Sequence, residues 1–144
     1  MVIDRQLLDE LTAKAKASPR LRMNMDLRDS SDDSSQRMLN ALEPGTVLPI
    51  HRHRKTSETV AILRGRAVQY LYDDEGRETG SVLLAPCGVG CHVAGAPRND
   101  VQAVPAMQVE IGQWHRLEAL ESGTVIVEFK NGAYEPIGPE DVLG

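Results

Sequence analysis

The sequence predicts an all-β jelly roll or barrel that carries one N-terminal α-helix. From residue 37 onward, short runs of β-type residues alternate with tight-turn signals. Only one stretch, near the N-terminus, repeats its apolar residues at helical spacing. No second helical segment is available to cover a parallel sheet, which disfavours a doubly wound α/β arrangement.

Each element has its own local reason. Asp4 is placed to cap a helix in which Leu7, Leu8, Leu11 and Ala15 form one apolar stripe, and Ser18-Pro19 ends it, so the helix spans 5–17. Residues 20–36 are rich in Arg, Asn, Asp and Ser and read as an irregular arm, with a short strand at 21–25. Strands are expected at 37–42, 47–53, 58–64, 67–73, 78–85, 101–110, 115–120 and 124–130. Turn signals separate them, among them Glu43-Pro44-Gly45, Arg64-Gly65, Asp74-Glu75-Gly76 and Glu121-Ser122-Gly123. The chain divides into an N-terminal helix and arm (1–36), a barrel (37–136) and a C-terminal tail (137–144), all within one domain.

Composition narrows the function classes. A chain of 144 residues fills one core, and with only 3% aromatics that core is made of Val, Leu, Ile and Ala. The net charge of −5 and the scarcity of stacking side chains argue against nucleic acid as a partner. Residues 1–72 are net basic and residues 73–144 strongly acidic, so the basic half can attract an anionic small molecule or simply be a mixed solvated surface. No apolar run is long enough to span a membrane and no leader pattern opens the chain, so a cytoplasmic location is expected. In a reducing compartment Cys87 and Cys91 are free thiols. Cys87-Gly88-Val89-Gly90-Cys91-His92 lacks the further ligands of a closed zinc site and reads as a Gly-rich loop with small buried thiols, His92 being a loop residue.

The chemistry concentrates in the other histidines. His51 and His53 lie two apart, so on a strand both rings point to one side while Arg52 and Arg54 point to the other. If the chain reverses between residues 54 and 57, Glu58 returns beside them. His115, after Gly112-Gln113-Trp114, opens a new strand and supplies a third imidazole. Three imidazoles and a carboxylate suit one divalent transition ion (Zn, Fe, Ni, Mn or Co) and leave open positions if the ion is six-coordinate.

Gly45-x5-His51-x-His53-x4-Glu58-x6-Gly65 resembles the first cupin motif at every defined position. Gly112-x2-His115 resembles part of the second, with Val104, Glu110 and Ala119 standing where that motif has glycine, proline and asparagine. A narrower resemblance, to the WbuC family of cupin-fold metalloproteins, runs through Ser18–Asn24, Gln36–Thr46, Trp114-His115 and Glu128–Pro136. These resemblances imply a cupin (double-stranded β-helix, jelly-roll) barrel and the metal ligands His51, His53, Glu58 and His115. WbuC proteins are often encoded among bacterial genes for surface polysaccharide synthesis.

Arg22, Asn24, Gln36, Arg37 and Asn40 fall in the WbuC-like stretch. They either line the cavity and bind a small polar or anionic molecule, or tie the N-terminal segment to the barrel. Tyr70 and Tyr72 share one strand face and are read as core or cavity wall, with Tyr70 a further candidate for substrate contact. Two functional classes follow. One is a metal-dependent enzyme, an isomerase, epimerase or oxygenase, on a small polar or sugar-derived substrate. The other is a non-catalytic binding or sensing module whose metal is structural or anchors a ligand. A homodimer is expected, because such barrels pair through edge strands and because the helix needs a surface to cover.

Overall fold

Asp4 accepts a hydrogen bond from the Leu7 amide at 3.0 Å, which caps helix α1 (Arg5–Ala17). In this computed structural model, which describes residues 1–88 and 102–144, the strands are β1 (Arg22–Asp26), β2 (Ser35–Leu42), β3 (Ile50–His51), β4 (Glu58–Arg64) and β5 (Ala67–Tyr72). They continue as β6 (Glu78–Leu84), β7 (Ala106–Val109), β8 (Trp114–Ala119), β9 (Thr124–Asn131) and β10 (Val142–Leu143). They form two five-stranded sheets, β1-β2-β9-β4-β7 and β10-β3-β8-β5-β6, whose strand pairs are antiparallel.

Alternation along β9 divides the core in two. Ile126 faces the space between the sheets, where it packs with Leu42, Val60, Ile62, Ala67, Leu84, Leu117 and Ala119. Val125 and Val127 face outward and meet Leu11 and Ala15 of α1 together with Leu39 and Ala41 of β2. The helix therefore covers the outer face of its own sheet, which removes the need for a partner chain to cover its stripe. Arg64 pins it there. Its guanidinium reaches Leu8 O at 2.9 Å, Thr12 Oγ1 at 2.6 Å and Gly123 O at 2.9 Å, and pairs with Asp9.

Two strands are shorter than the sequence pattern implies. The run at 47–53 is a strand only at Ile50–His51, because Pro49 has no amide to give to a ladder. The run at 101–110 is a strand at Ala106–Val109, directly after Pro105, with residue 101 outside the described residues. Residues 137–144, read as a tail, instead supply a 3-10 turn (Pro139–Asp141) and β10, which pairs Val142 with His51. Asp141 secures this segment by accepting hydrogen bonds from Arg52 Nε at 3.0 Å and from Arg54. Apolar periodicity could not reveal so short a strand, since its pairing depends on two distant arginines. Cys87 is exposed, contrary to the buried thiol expected; Cys91 and His92 lie outside the described residues. No helix among the described residues is long and apolar enough to cross a membrane.

Candidate metal centre

His51 and His115 are direct cross-strand neighbours in the β3–β8 pair, so their rings meet, with centroids 4.3 Å apart. His53 joins them at 5.1 Å from His51 and 5.6 Å from His115. Its carbonyl accepts the Gly112 amide at 2.8 Å, which ties the end of the His-x-His segment to the turn that launches β8. Glu58 opens β4 and is paired in register with Lys130 of β9. One ligating nitrogen from each of His51, His53 and His115 lies within 4.8 Å of the others. Glu58 Oε2 stands 3.1 Å from His53 Nε2, and Glu58 Oε1 stands 3.7 Å from His115 Nε2.

The proton positions fit a cation. Nδ1 of His115 is 2.8 Å from Gln113 O and Nδ1 of His51 is 3.1 Å from Pro49 O. A carbonyl oxygen only accepts, so each Nδ1 carries a hydrogen, which leaves Nε2 as the nitrogen that can turn a lone pair to an ion. Such a hydrogen bond fixes ring orientation and tautomer in metal-binding histidines. His115 Nε2 is buried and has no hydrogen-bond partner among the described residues. A buried ring nitrogen that faces a carboxylate oxygen without bonding it is costly, and a positive ion between the two satisfies both. The four side chains therefore fit a metal ion by donor type as well as by position.

The electrostatics agree. Burial, reinforced by the nearby His115, pushes the His51 imidazole down to about 4, so it is neutral at physiological pH. Burial alone would raise the Glu58 carboxyl, but the His115 and His53 rings and the Lys130 ammonium outweigh it and hold the group well below the usual range. Glu58 is thus an anion, met in the metal-free chain by the Lys130 ammonium at 3.3 Å.

The site opens into a cavity of about 330 Å³ between the sheets. Its wall includes Arg22, Asn24, Gln36 and Asn40, four of the residues singled out in the sequence. Arg37 and Tyr70 do not line it. Arg37 alternates with Gln36 on β2, and its guanidinium meets Asp33 at 2.7 Å and Leu27 O at 3.3 Å, a purely structural tie. Tyr70 is on the outer face of β5, its ring 5.5 Å from the Arg116 guanidinium, while Gln69 takes the inward position. In both cases strand parity decides. Arg52 faces away from the imidazoles, as expected, and lies over the Trp114 ring at 4.3 Å. A second opening of about 370 Å³ shares Gln36, His53 and Lys130 with the first.

Three cavity residues were missed in the sequence. Glu128 and Lys130 follow Ile126 at the same parity on β9, a signal legible in the alternation Val125, Ile126, Val127 once the core face is known. Burial and the neighbouring Glu58 charge push the Glu128 carboxyl up to about 8, against the opposing pull of Lys130 and a hydrogen bond with Asn40. Gln69 is 1% exposed, and its Nε2 has no partner among the described residues.

A family model described as a domain of unknown function (DUF6016) matches residues 3–84. No curated protein matches the chain. Among solved structures, KdgF from Halomonas sp. is 13% identical with a TM-score of 0.53, over 81% of this chain and 84% of that one. The capsular polysaccharide assembling protein CapF from Staphylococcus aureus is 16% identical with a TM-score of 0.61, over 83% of this chain but only 30% of CapF. A cupin 2 domain-containing protein from Halorhodospira halophila is 14% identical with a TM-score of 0.56, over 81% and 68%. These likenesses show the fold, which is that of the cupins.

Proposed function

The chain belongs to the DUF6016 family of domains of unknown function, and we propose that this member is a cupin metalloenzyme acting on a small polar, sugar-derived molecule. His51, His53, Glu58 and His115 hold one divalent transition ion. The observation that carries this reading is the buried His115 Nε2, without a hydrogen-bond partner among the described residues, facing the Glu58 carboxylate at the head of a cavity. An ion held there would polarise a bound carbonyl or hydroxyl, or lower the pKa of a bound water.

The other cavity residues supply the remaining functions. Arg22, Asn24, Gln36 and Gln69 offer hydrogen bonds that orient a polar ligand. In the metal-free chain burial and the Glu58 charge push the Glu128 carboxyl up to about 8, and from the cavity wall this group can give a proton to, or take one from, a bound ligand. Proton transfer of this kind serves isomerisation or epimerisation. The WbuC-like stretches and the fold shared with a capsular polysaccharide assembling protein support a sugar-derived substrate and a place in surface polysaccharide metabolism.

The test is a screen of sugar phosphates, nucleotide sugars and sugar acids against metal-loaded protein. Turnover that is lost in His53→Ala and in Glu128→Gln supports the proposal. Saturable binding without product in any metal form would replace it with a binding module whose metal anchors the ligand.

A further inference from the structure

We infer that Lys130 stands in for the ion in the metal-free chain and, once an ion is held, forms together with it the seat of an oxyanion on the ligand. This rests on the proposed metal site and specifies the chemistry of what that site binds. The Lys130 Nζ lies 3.2 Å from His53 Nε2 and 3.3 Å from Glu58 Oε2, and its side chain is 13% exposed. It thus donates to the very lone pairs an ion would use.

An ammonium and a metal ion cannot share those donors. When an ion takes the Glu58 carboxylate and the His53 nitrogen, Lys130 loses both partners while remaining enclosed beside a second positive charge. A buried charge without a partner is strongly unfavourable. Glu128 does not relieve it: among the described residues Lys130 makes no ion pair with Glu128 within 4.0 Å, its carboxylate partner being Glu58.

Charge counting gives the same answer. Three neutral imidazoles, one carboxylate, a divalent ion and Lys130 leave the filled site positive, and the ion's own charge must be included in such a count. The cavity lining adds Arg20 and Arg22, neither of which pairs with a carboxylate among the described residues, Arg22 donating to Val47 O at 3.3 Å; the Glu135 carboxylate, also in the lining, is met by Lys55 at 3.0 Å. A carboxylate or phosphate that bridges an open position on the ion and the Lys130 ammonium neutralises the inner end. The arginines can then meet a second polar or anionic group at the outer end.

The experiment uses Co(II), followed by its visible absorption, on metal-stripped wild type, Lys130→Met and Lys130→Arg. Acetate and inorganic phosphate are then titrated into each loaded protein, and the anion that perturbs the spectrum at lower concentration identifies the oxyanion class. Lys130→Met is expected to bind Co(II) at least tenfold more tightly than wild type, and its loaded form to bind the preferred anion at least tenfold more weakly. Lys130→Arg keeps the charge and should retain anion binding within about threefold. A Lys130→Met chain that folds only when Co(II) is added also supports the stand-in role. Its anion titration is then made on the loaded form, and Lys130→Arg still reports on charge. Equal or weaker Co(II) binding by Lys130→Met, or unchanged anion affinity, overturns the inference while leaving the metal site intact. A wild type that takes up no Co(II) removes the metal reading itself.

Discussion

His115 Nε2 and Glu58 Oε1 face each other across 3.7 Å, a buried ring nitrogen with no hydrogen-bond partner among the described residues opposite a carboxylate oxygen. Both atoms can ligate a cation placed between them. Zn(II), Ni(II) or Co(II) should therefore raise the thermal midpoint of the metal-stripped protein. At an ion concentration 100 times the dissociation constant the gain is about 2.7 kcal/mol. His115→Ala should abolish the shift, because it removes one of the three imidazole donors. A thermal melt with and without added ion reads this directly, and equal shifts in wild type and variant would refute the ligand assignment.

The metal-free protein should weaken in mild acid. His51 is pushed down to about 4 in the fold but titrates near 6.5 when unfolded, so the unfolded chain takes up its proton first as pH falls. Stability from this residue is complete above pH 6.5 and is lost progressively between 6.5 and 4, to the extent of about 2–3 kcal/mol. Glu58, also held below its ordinary range, adds a loss in the same direction at lower pH. Denaturant titrations of metal-stripped wild type and His51→Gln across pH 4 to 7 provide the check. The variant should show the flatter profile, and identical slopes would contradict the shift.

Glu128 works with the opposite sign. Its carboxyl is pushed up to about 8 in the fold and ionises near 4.5 when unfolded, so the native chain holds the extra proton between those values. Stability therefore falls as pH rises from 4.5 to 8. Glu128→Gln keeps the shape and cannot ionise, so in the metal-free protein it should be the more stable chain at pH 8 by about 4 kcal/mol and nearly equal to wild type at pH 4.5. Stability curves for both proteins at these two pH values decide it.

Much of this architecture was readable from residue order, and the exceptions share a cause. Helix α1 begins and ends as its cap and stripe indicate, because Asp4, the leucines and Ser18-Pro19 act locally. His51, His53, Glu58 and His115 converge because fixed parity and a short return loop do most of the work. Arg37 and Tyr70 went astray because a polar or aromatic residue carries no mark of the strand face it takes. Lys130 and Glu128 were missed because their significance exists only across strands, where β9 lies beside β4. The β10 pairing was invisible for the same reason: Arg52, Arg54 and Asp141 are brought together by the fold alone.

Gly65 and Gly112 both belong to the motifs around the ligands, yet they should differ in what they tolerate. Both have positive φ, +77° and +78°, which costs any L side chain about 1 kcal/mol. At Gly65 a Cβ would also fall 2.7 Å from the Thr124 Cα, on backbone that cannot turn aside. At Gly112 a Cβ meets nothing within 4 Å. Gly65→Ala should accordingly cost about 3 kcal/mol or more, through strain at the β4–β5 turn and displacement of β9, which carries Glu128 and Lys130. Gly112→Ala should cost about 1 kcal/mol and leave the hydrogen bond from its amide to His53 O in place. Equilibrium unfolding of the two variants, paired with Co(II) titration, separates the cases: Gly65→Ala loses stability and ion affinity together, whereas Gly112→Ala keeps ion affinity close to wild type.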